Sequence, residues 1–320
     1  MAKKVEEVIC GIDVCKDFLD IAVSSSEEVG SIGNTSGAIA AWLRTQPVPL
    51  VIGIESTNDY HEELVEQALA QGHRVYLVNA RQLMHYREAL GVRAKTDMHD
   101  ALLLCRYIHQ EHEQLRPVRL KDGRERALWR LLKRRGSVVK MRQKLKLSLA
   151  GVPSVGDEVR KLIAQVNVLL KKIERELMGL ARALGWRPLL ERARSVPGIG
   201  PMNALALTAC YHRGEFTSVD AFIAFIGLDV RVKDSGKIRG KRRLTKQGDP
   251  ELRRLLYNAA MSFDRHPSYK PYRESLMARG LSSTAAYIII ARKLARVAFA
   301  LIRKERMFDE KIFKIPCQAT

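Results

Sequence analysis

Apolar and polar positions divide the chain into stretches with different periods. In the first, runs of strand length alternate with helical patterns. Val8-Ile9-Cys10-Gly11-Ile12 ends at Asp13, and Phe18-Leu19-Asp20-Ile21-Ala22-Val23 alternates loosely as a second strand, with Lys16 and Asp17 in the turn between. A weak strand is expected over 29–32 and a helix over 35–44. Leu50-Val51-Ile52-Gly53-Ile54 reads as a buried strand ending at Glu55, with Ser56-Thr57-Asn58 as a turn or cap. A helix over 60–71, closed by Gly72, leads to a strand over 74–79. Next comes Lys95-Thr96-Asp97-Met98-His99-Asp100-Ala101, opening the apolar run 102–108. Thr96 can cap that helix, and Asp97 and Asp100, three apart, share a face of its first turn.

From residue 116 the pattern becomes helical throughout. Leu128, Leu131, Leu132, Val138, Val139 and Leu145 form an apolar stripe that Gly136 could bend, and a second amphipathic helix is expected over 158–184. Together they read as a helical hairpin or coiled-coil arm. Beyond Pro197-Gly198-Ile199-Gly200, a turn of the helix-hairpin-helix kind or a plain one, helices are expected over 216–227, 251–263 and 282–305. The stretch 231–248 reads as a highly charged loop.

Charge turns this outline towards function. The 320 residues hold 55 Lys or Arg against 35 Asp or Glu, a formal charge of +20, which points to a polyanion, nucleic acid before an acidic membrane. No window has the roughly 18 consecutive apolar residues of a spanning helix, and the start lacks a signal-peptide core, so the expected location is the cytoplasm, nucleoid-associated, with no membrane partner. Five cysteines without Cys-x-x-Cys spacing argue against a zinc site or a disulfide framework. Between Arg116 and Lys146 stand 13 Lys or Arg against Asp122 and Glu125 alone, among them Arg130, Lys133, Arg134 and Arg135. Like charges one turn apart destabilise a helix, and phosphates would supply the counter-ions. Arg253 and Arg254 are further candidate phosphate contacts.

Two constellations carry candidate chemistry. Asp13 and Glu55 each follow a strand, where ligands collect in α/β sheets, and Asp97 with Asp100 opens a helix. A lone acid at such a place is ordinarily a turn or cap residue. Four converging would repel unless cations sat among them, and two Mg²⁺ ions could then stabilise the attacking and leaving oxygens of phosphodiester chemistry. In the basic loop, Ser235 stands in a field of Lys233, Lys237, Arg239, Lys241, Arg242, Arg243 and Lys246 that could hold a backbone phosphate.

The motifs around Gly11-Ile12-Asp13-Val14, Ile54-Glu55-Ser56-Thr57-Asn58-Asp59-Tyr60 and Lys95 to Ala101 resemble the three acidic motifs of the DEDD transposases. That family comprises Piv-type DNA invertases and insertion-sequence recombinases described as bridge-RNA-guided. Asn58 stands where the family often has glycine; Asn tolerates the same turn geometry. Pro197-Gly198-Ile199-Gly200, Phe225-Ile226-Gly227-Leu228 and Ser235-Gly236 through Gly248 are similar to the family's serine-bearing transposase domain. The resemblance implies a RuvC-like, ribonuclease-H-type α/β domain with a mixed sheet, then a helical arm and a mainly α-helical transposase domain. It implies Asp13, Glu55, Asp97 and Asp100 as ligands of Mg²⁺ (Mn²⁺ as substitute), and Ser235 as a nucleophile that holds the strand as a phosphoserine, with Thr245 the nearest rival hydroxyl.

The expected protein is therefore a DNA transposase or site-specific recombinase acting on double-stranded DNA, with a guide RNA as second partner. The expected domains are 1–115, 116–187 and 188–320, and strand exchange implies a homodimer or homotetramer. Its rivals are a junction-resolving metal nuclease with no covalent intermediate, a nucleic-acid-binding structural protein whose acids are only caps, and an actin-like sugar kinase, for which the charge makes no sense.

Overall fold

The computed structural model describes residues 7–26, 28–47, 49–55, 59–91, 97–119, 122–235 and 238–311. It divides into two compact units, Met1–Lys121 and Asp122–Thr320.

In the first unit, β1 (Ile9–Val14), β2 (Phe18–Val23), β3 (Val29–Gly33), β4 (Val51–Glu55) and β5 (Arg74–Val78) form one sheet in the order β3-β2-β1-β4-β5. β1, β2 and β3 pair antiparallel; β4 and β5 run parallel to β1. This is the mixed sheet expected from the strand pattern. The inner strands read as apolar runs because both their faces are covered. On one face Cys10, Ile12, Leu19, Ile21, Ile52 and Ile54 pack with Ile39 and Leu43 of α1 (Ser36–Arg44) and Leu64 and Ala68 of α2 (Glu62–Ala70). On the other, Ile9, Ala22, Val51, Tyr76 and Val78 pack with Leu83 of α3 (Ala80–Ala89) and Ala101, Leu104, Cys105 and Ile108 of α4 (Asp97–Glu111). The Thr35 hydroxyl caps α1 by accepting from the Ala38 amide, and Asn79 caps α3 by accepting from Arg81. The sequence pattern does not predict α3: Leu83 is its one buried residue, so it has no apolar stripe to read. The expected Thr96 cap and the 56–58 turn lie outside the described residues.

Helix α4 sits directly on the strands. Gly11 and Gly53 are register partners on β1 and β4. A Cβ on Gly11 would stand 2.2 Å from both the Ala101 carbonyl oxygen and the Cys105 amide nitrogen, and one on Gly53 2.2 Å from Cγ1 of Ile108. Two side-chain-free positions therefore make the groove in which α4 rests. Cys105 is buried at this contact and Cys10 on the opposite face of β1; both thiols are pushed up in pKa, Cys10 chiefly by burial and then by Cys105, and Cys105 by burial.

The second unit contains α5 (Gly123–Ser148), α6 (Gly156–Ala183), α7 (Arg187–Arg194), α8 (Pro201–Arg213), α9 (Val219–Phe225), the pair β6 (Val230–Ser235) and β7 (Ile238–Leu244), then α10 (Pro250–Asp264), α11 (Lys270–Ala278) and α12 (Ser283–Lys304). α5 and α6 pack against each other, and Leu128, Leu132, Leu177 and Ala181 root them in the core formed by α7 to α12. Away from that root Met141, Leu147, Leu162, Val168 and Leu169 are exposed. Gly136 leaves α5 unbroken and admits Glu251 instead, whose Cδ would lie 2.7 Å from a Cβ there. The turn at Gly198 (φ +84°) is packed against α10, with the Ala259 carbonyl 2.6 Å from an added Cβ, and the Ile199 amide is already bonded to the Val196 carbonyl. The stretch expected as a charged loop is a two-stranded antiparallel hairpin. A two-stranded ribbon needs no apolar face, so its period cannot be read from the sequence.

Gly11→Ala meets backbone atoms that no rotamer change can move. We expect it to cost about 3 kcal/mol or more, whereas Gly37→Ala, with open space around it, should raise stability by about 0.5–1 kcal/mol. Urea denaturation of the two variants checks both signs.

Candidate functional site

Strand alternation decides which acids meet. Asp13 follows Gly11 by two on β1 and Glu55 follows Gly53 by two on β4, so both carboxylates belong to the sheet face that α4 covers. The parallel pairing ends at Ile12 with Ile54, and the next step sets Asp13 beside Glu55 at the carboxyl ends of the two central strands. Asp97 begins α4, its side chain lying outside the described residues, and Asp100 ends that helix's first turn. Asp100 is 5% exposed and ion-paired with Arg87 of α3. Burying a carboxylate without such a partner would cost several kcal/mol. Arg87 is invisible to sequence reading because its role depends on α3 folding back over α4.

Among the described residues no group of three or more His, Cys, Asp or Glu is already gathered tightly enough to hold a metal. The donor chemistry nonetheless suits a hard divalent cation: the groups are carboxylate oxygens on one face, with no thiolate or imidazole set.

Ser235 ends β6 and pairs in register with Ile238 across residues 236–237, and the register slips between Lys233 and Ser235. The side chain of Ser235 lies outside the described residues, as do those of Lys233, Lys237, Arg239, Lys241 and Arg242. Arg243 and Lys246 are exposed, and Lys246 takes a left-handed backbone, φ 56°. Thr245 is committed at the hairpin's base: its hydroxyl donates to the Asp229 carboxylate and its amide to the Asp229 carbonyl at 3.1 Å.

Two family models match the chain, one described as Transposase IS116/IS110/IS902 family over residues 190–273 and one described as Transposase over residues 10–152. The pilin gene-inverting proteins of Moraxella bovis and Moraxella lacunata are each 30% identical over 321 residues, covering 94% of this chain and 98% of theirs. The chain belongs to the IS116/IS110/IS902 transposase family. A transposase for an insertion sequence of Coxiella burnetii is 30% identical over 145 residues, 42% of this chain and 38% of that one. The solved T. thermophilus RuvC in complex with Holliday junction substrate aligns over 35% of this chain and 100% of that chain at 15% identity, with a TM-score of 0.26. The enzyme is thus a DNA recombinase of the transposase kind, as its motifs implied. Among the described residues no helix is long and apolar enough to cross a membrane.

The transposase displays its basic residues unevenly. Arg130, Lys133 and Arg134 are on the exposed side of α5. Arg135 turns inward: its Nε donates to Glu174 at 2.8 Å, and Nη1 stands 3.9 Å from buried Glu251. It lines a cleft of about 450 Å³ between α5, α6 and α10, where Arg142, Lys171 and Arg254 outnumber Glu174. Arg253 and Arg254 are both engaged within the protein. Arg253 donates to the Gly248 carbonyl at 2.7 Å, and burial lowers its pKa against the pull of Asp249. Arg254 holds Glu251 through two hydrogen bonds, which raise its pKa.

Arg87→Ala leaves Asp100 buried without its cation. We expect a loss of about 3 kcal/mol in urea denaturation at pH 7, with Arg87→Lys losing less.

Proposed function

We propose that this transposase cuts and rejoins double-stranded DNA using Mg²⁺ held by Asp13, Glu55, Asp97 and Asp100, together with Ser235 as nucleophile. The observation that carries the reading is the register that sets Asp13 beside Glu55 on the face covered by the helix bearing Asp97 and Asp100. When bound, divalent cations would stabilise negative charge on the attacking and leaving oxygens. The carboxylates' own work is to hold and orient them, and Arg87 keeps Asp100 in place while it does so.

In the cleavage step Ser235 Oγ forms a bond to phosphorus and the ester oxygen of the strand leaves. The serine proton ends on that oxygen, giving a free hydroxyl and a phosphoserine. Attack of a second strand's hydroxyl on the phosphoserine reverses these changes and reseals the backbone, so no external energy source is needed. The cationic hairpin that carries Ser235 suits a phosphate before and during attack. Arg130, Lys133 and Arg134 on α5 suit a nucleic-acid backbone, and we assign that surface to a structured guide RNA. Functionally the chain reads as a catalytic region over residues 1–115, a basic arm over 116–187 and a serine-bearing region over 188–320. It works as a homodimer or homotetramer, so that paired strands can exchange.

End-labelled DNA incubated with the protein, its copurifying nucleic acid and Mg²⁺, then run on a denaturing protein gel, tests the serine. Wild type and Thr245→Val should form a covalent adduct and Ser235→Ala none. An adduct in Ser235→Ala would remove the role from that residue, and cleavage by wild type without any adduct would favour the junction-resolving nuclease. Asp97→Asn should abolish cleavage with an unchanged circular dichroism spectrum.

A further inference from the structure

A fifth acid stands on the same sheet face. The β1–β2 register sets Asp20 directly opposite Asp13, so the two Cβ atoms are about 5 Å apart and point the same way. Asp20, Asp13 and Glu55 thus follow one another across β2, β1 and β4, on the side that α4 covers. Ala22, the next residue of β2 on that face, packs in the core with Ala101 and Cys105 of α4.

Asp20 is only 8% exposed, yet it has no hydrogen bond or ion pair among the described residues. Asp100, equally buried, has Arg87. An ionised carboxylate taken from water with no partner costs several kcal/mol, and an acid directly opposite across a strand pair adds repulsion. Protonation would not settle the matter, because a buried carboxylic acid must still place its O–H. Nor does packing require an acid here, since β2 supplies apolar Leu19 and Ile21 to the opposite face and alanine to this one. A buried, unpartnered carboxylate beside two others is compensated most simply by a cation arriving from solution.

We infer that Asp20 supplies a fifth carboxylate to the divalent-cation position of the transposase. This rests on reading Asp13, Glu55, Asp97 and Asp100 as that position. Asp20 adds negative charge beside Asp13 and so strengthens cation binding.

Calorimetric titration with Mn²⁺, on full-length protein freed of nucleic acid, tests it. Asp20→Asn keeps shape and removes charge; we expect its Mn²⁺ affinity to fall about tenfold or more and its melting temperature in EDTA to rise. Asp20→Glu should recover most of the affinity, and Asp17→Asn, which removes an exposed charge from the adjoining turn, should bind as wild type does. If Asp20→Asn binds Mn²⁺ like wild type while Asp13→Asn does not, Asp20 has no role in the site and the inference fails with the four-acid reading intact. If wild type itself takes up no Mn²⁺, the reading fails and the inference with it. Should Asp20→Asn not fold, Asp20→Ser decides the matter: Mn²⁺ affinity equal to wild type overturns the inference, and a loss of about tenfold supports it.

Discussion

The first unit depends on one close approach, that of α4 to the paired glycines Gly11 and Gly53. At ordinary helix-on-sheet separation, side chains fill the space between layers. Here the Ala101 carbonyl and the Cys105 amide occupy the place of the missing Cβ on Gly11. The helix is located by its backbone, which is stiffer than any side chain. Asp100 precedes Ala101 and Asp97 lies one turn before it, so whatever pins Ala101 to β1 also fixes where the acid-bearing turn begins. On the strands the same alternation that brings Gly11 and Gly53 to this face brings Asp13 and Glu55 two residues later. Packing and candidate chemistry thus share one periodicity, and a residue slip in either strand would lose both.

That sharing explains what can be read from the sequence. β1, β4 and β5 are legible as short apolar runs, β2 by its loose alternation and β3 only weakly, and the acids at the ends of β1 and β4 are legible as part of an ordered set although none is informative alone. What cannot be read depends on pairing through space. Arg87 belongs to a helix whose one buried residue, Leu83, leaves no stripe, so nothing in 80–89 announces a counter-charge for Asp100. Asp20 resembles a polar step in a loosely alternating strand, and only the hairpin register reveals its neighbour. The β6–β7 hairpin reads as a loop because a two-stranded ribbon needs no apolar face. Its acidic and hydroxyl anchors, Asp229 and Thr245, stand 16 residues apart.

The second unit shows why charge counts need the fold before they can be interpreted. Thirteen cations between Arg116 and Lys146 read as one basic surface, yet Arg135 is drawn inward by Glu174 and Glu251. Gly136 is the complement of that arrangement, since its lack of a side chain lets Glu251 reach α5. A glycine in mid-helix costs about 1 kcal/mol against alanine, and here it is offset by a buried carboxylate held between Arg135 and Arg254. The neighbouring Arg130, Lys133 and Arg134 remain at the surface. One helix therefore serves two electrostatic purposes, an internal ion-pair network on one side and an exposed cationic face on the other.

The two charge patterns of the chain also constrain each other. A protein of formal charge +20 draws phosphates towards itself, whereas a sheet face bearing Asp13, Asp20 and Glu55 repels them. On the proposed reading, that face has to admit a phosphate. A lysine paired with each of Asp13, Asp20 and Glu55 would neutralise them permanently and would leave nothing to respond to substrate. Exchangeable divalent cations satisfy both demands, because they cancel the carboxylates' charge and carry an excess that meets the phosphate. Reaction would then require cation and nucleic acid together, which suits an enzyme that must not cut DNA whenever it binds it.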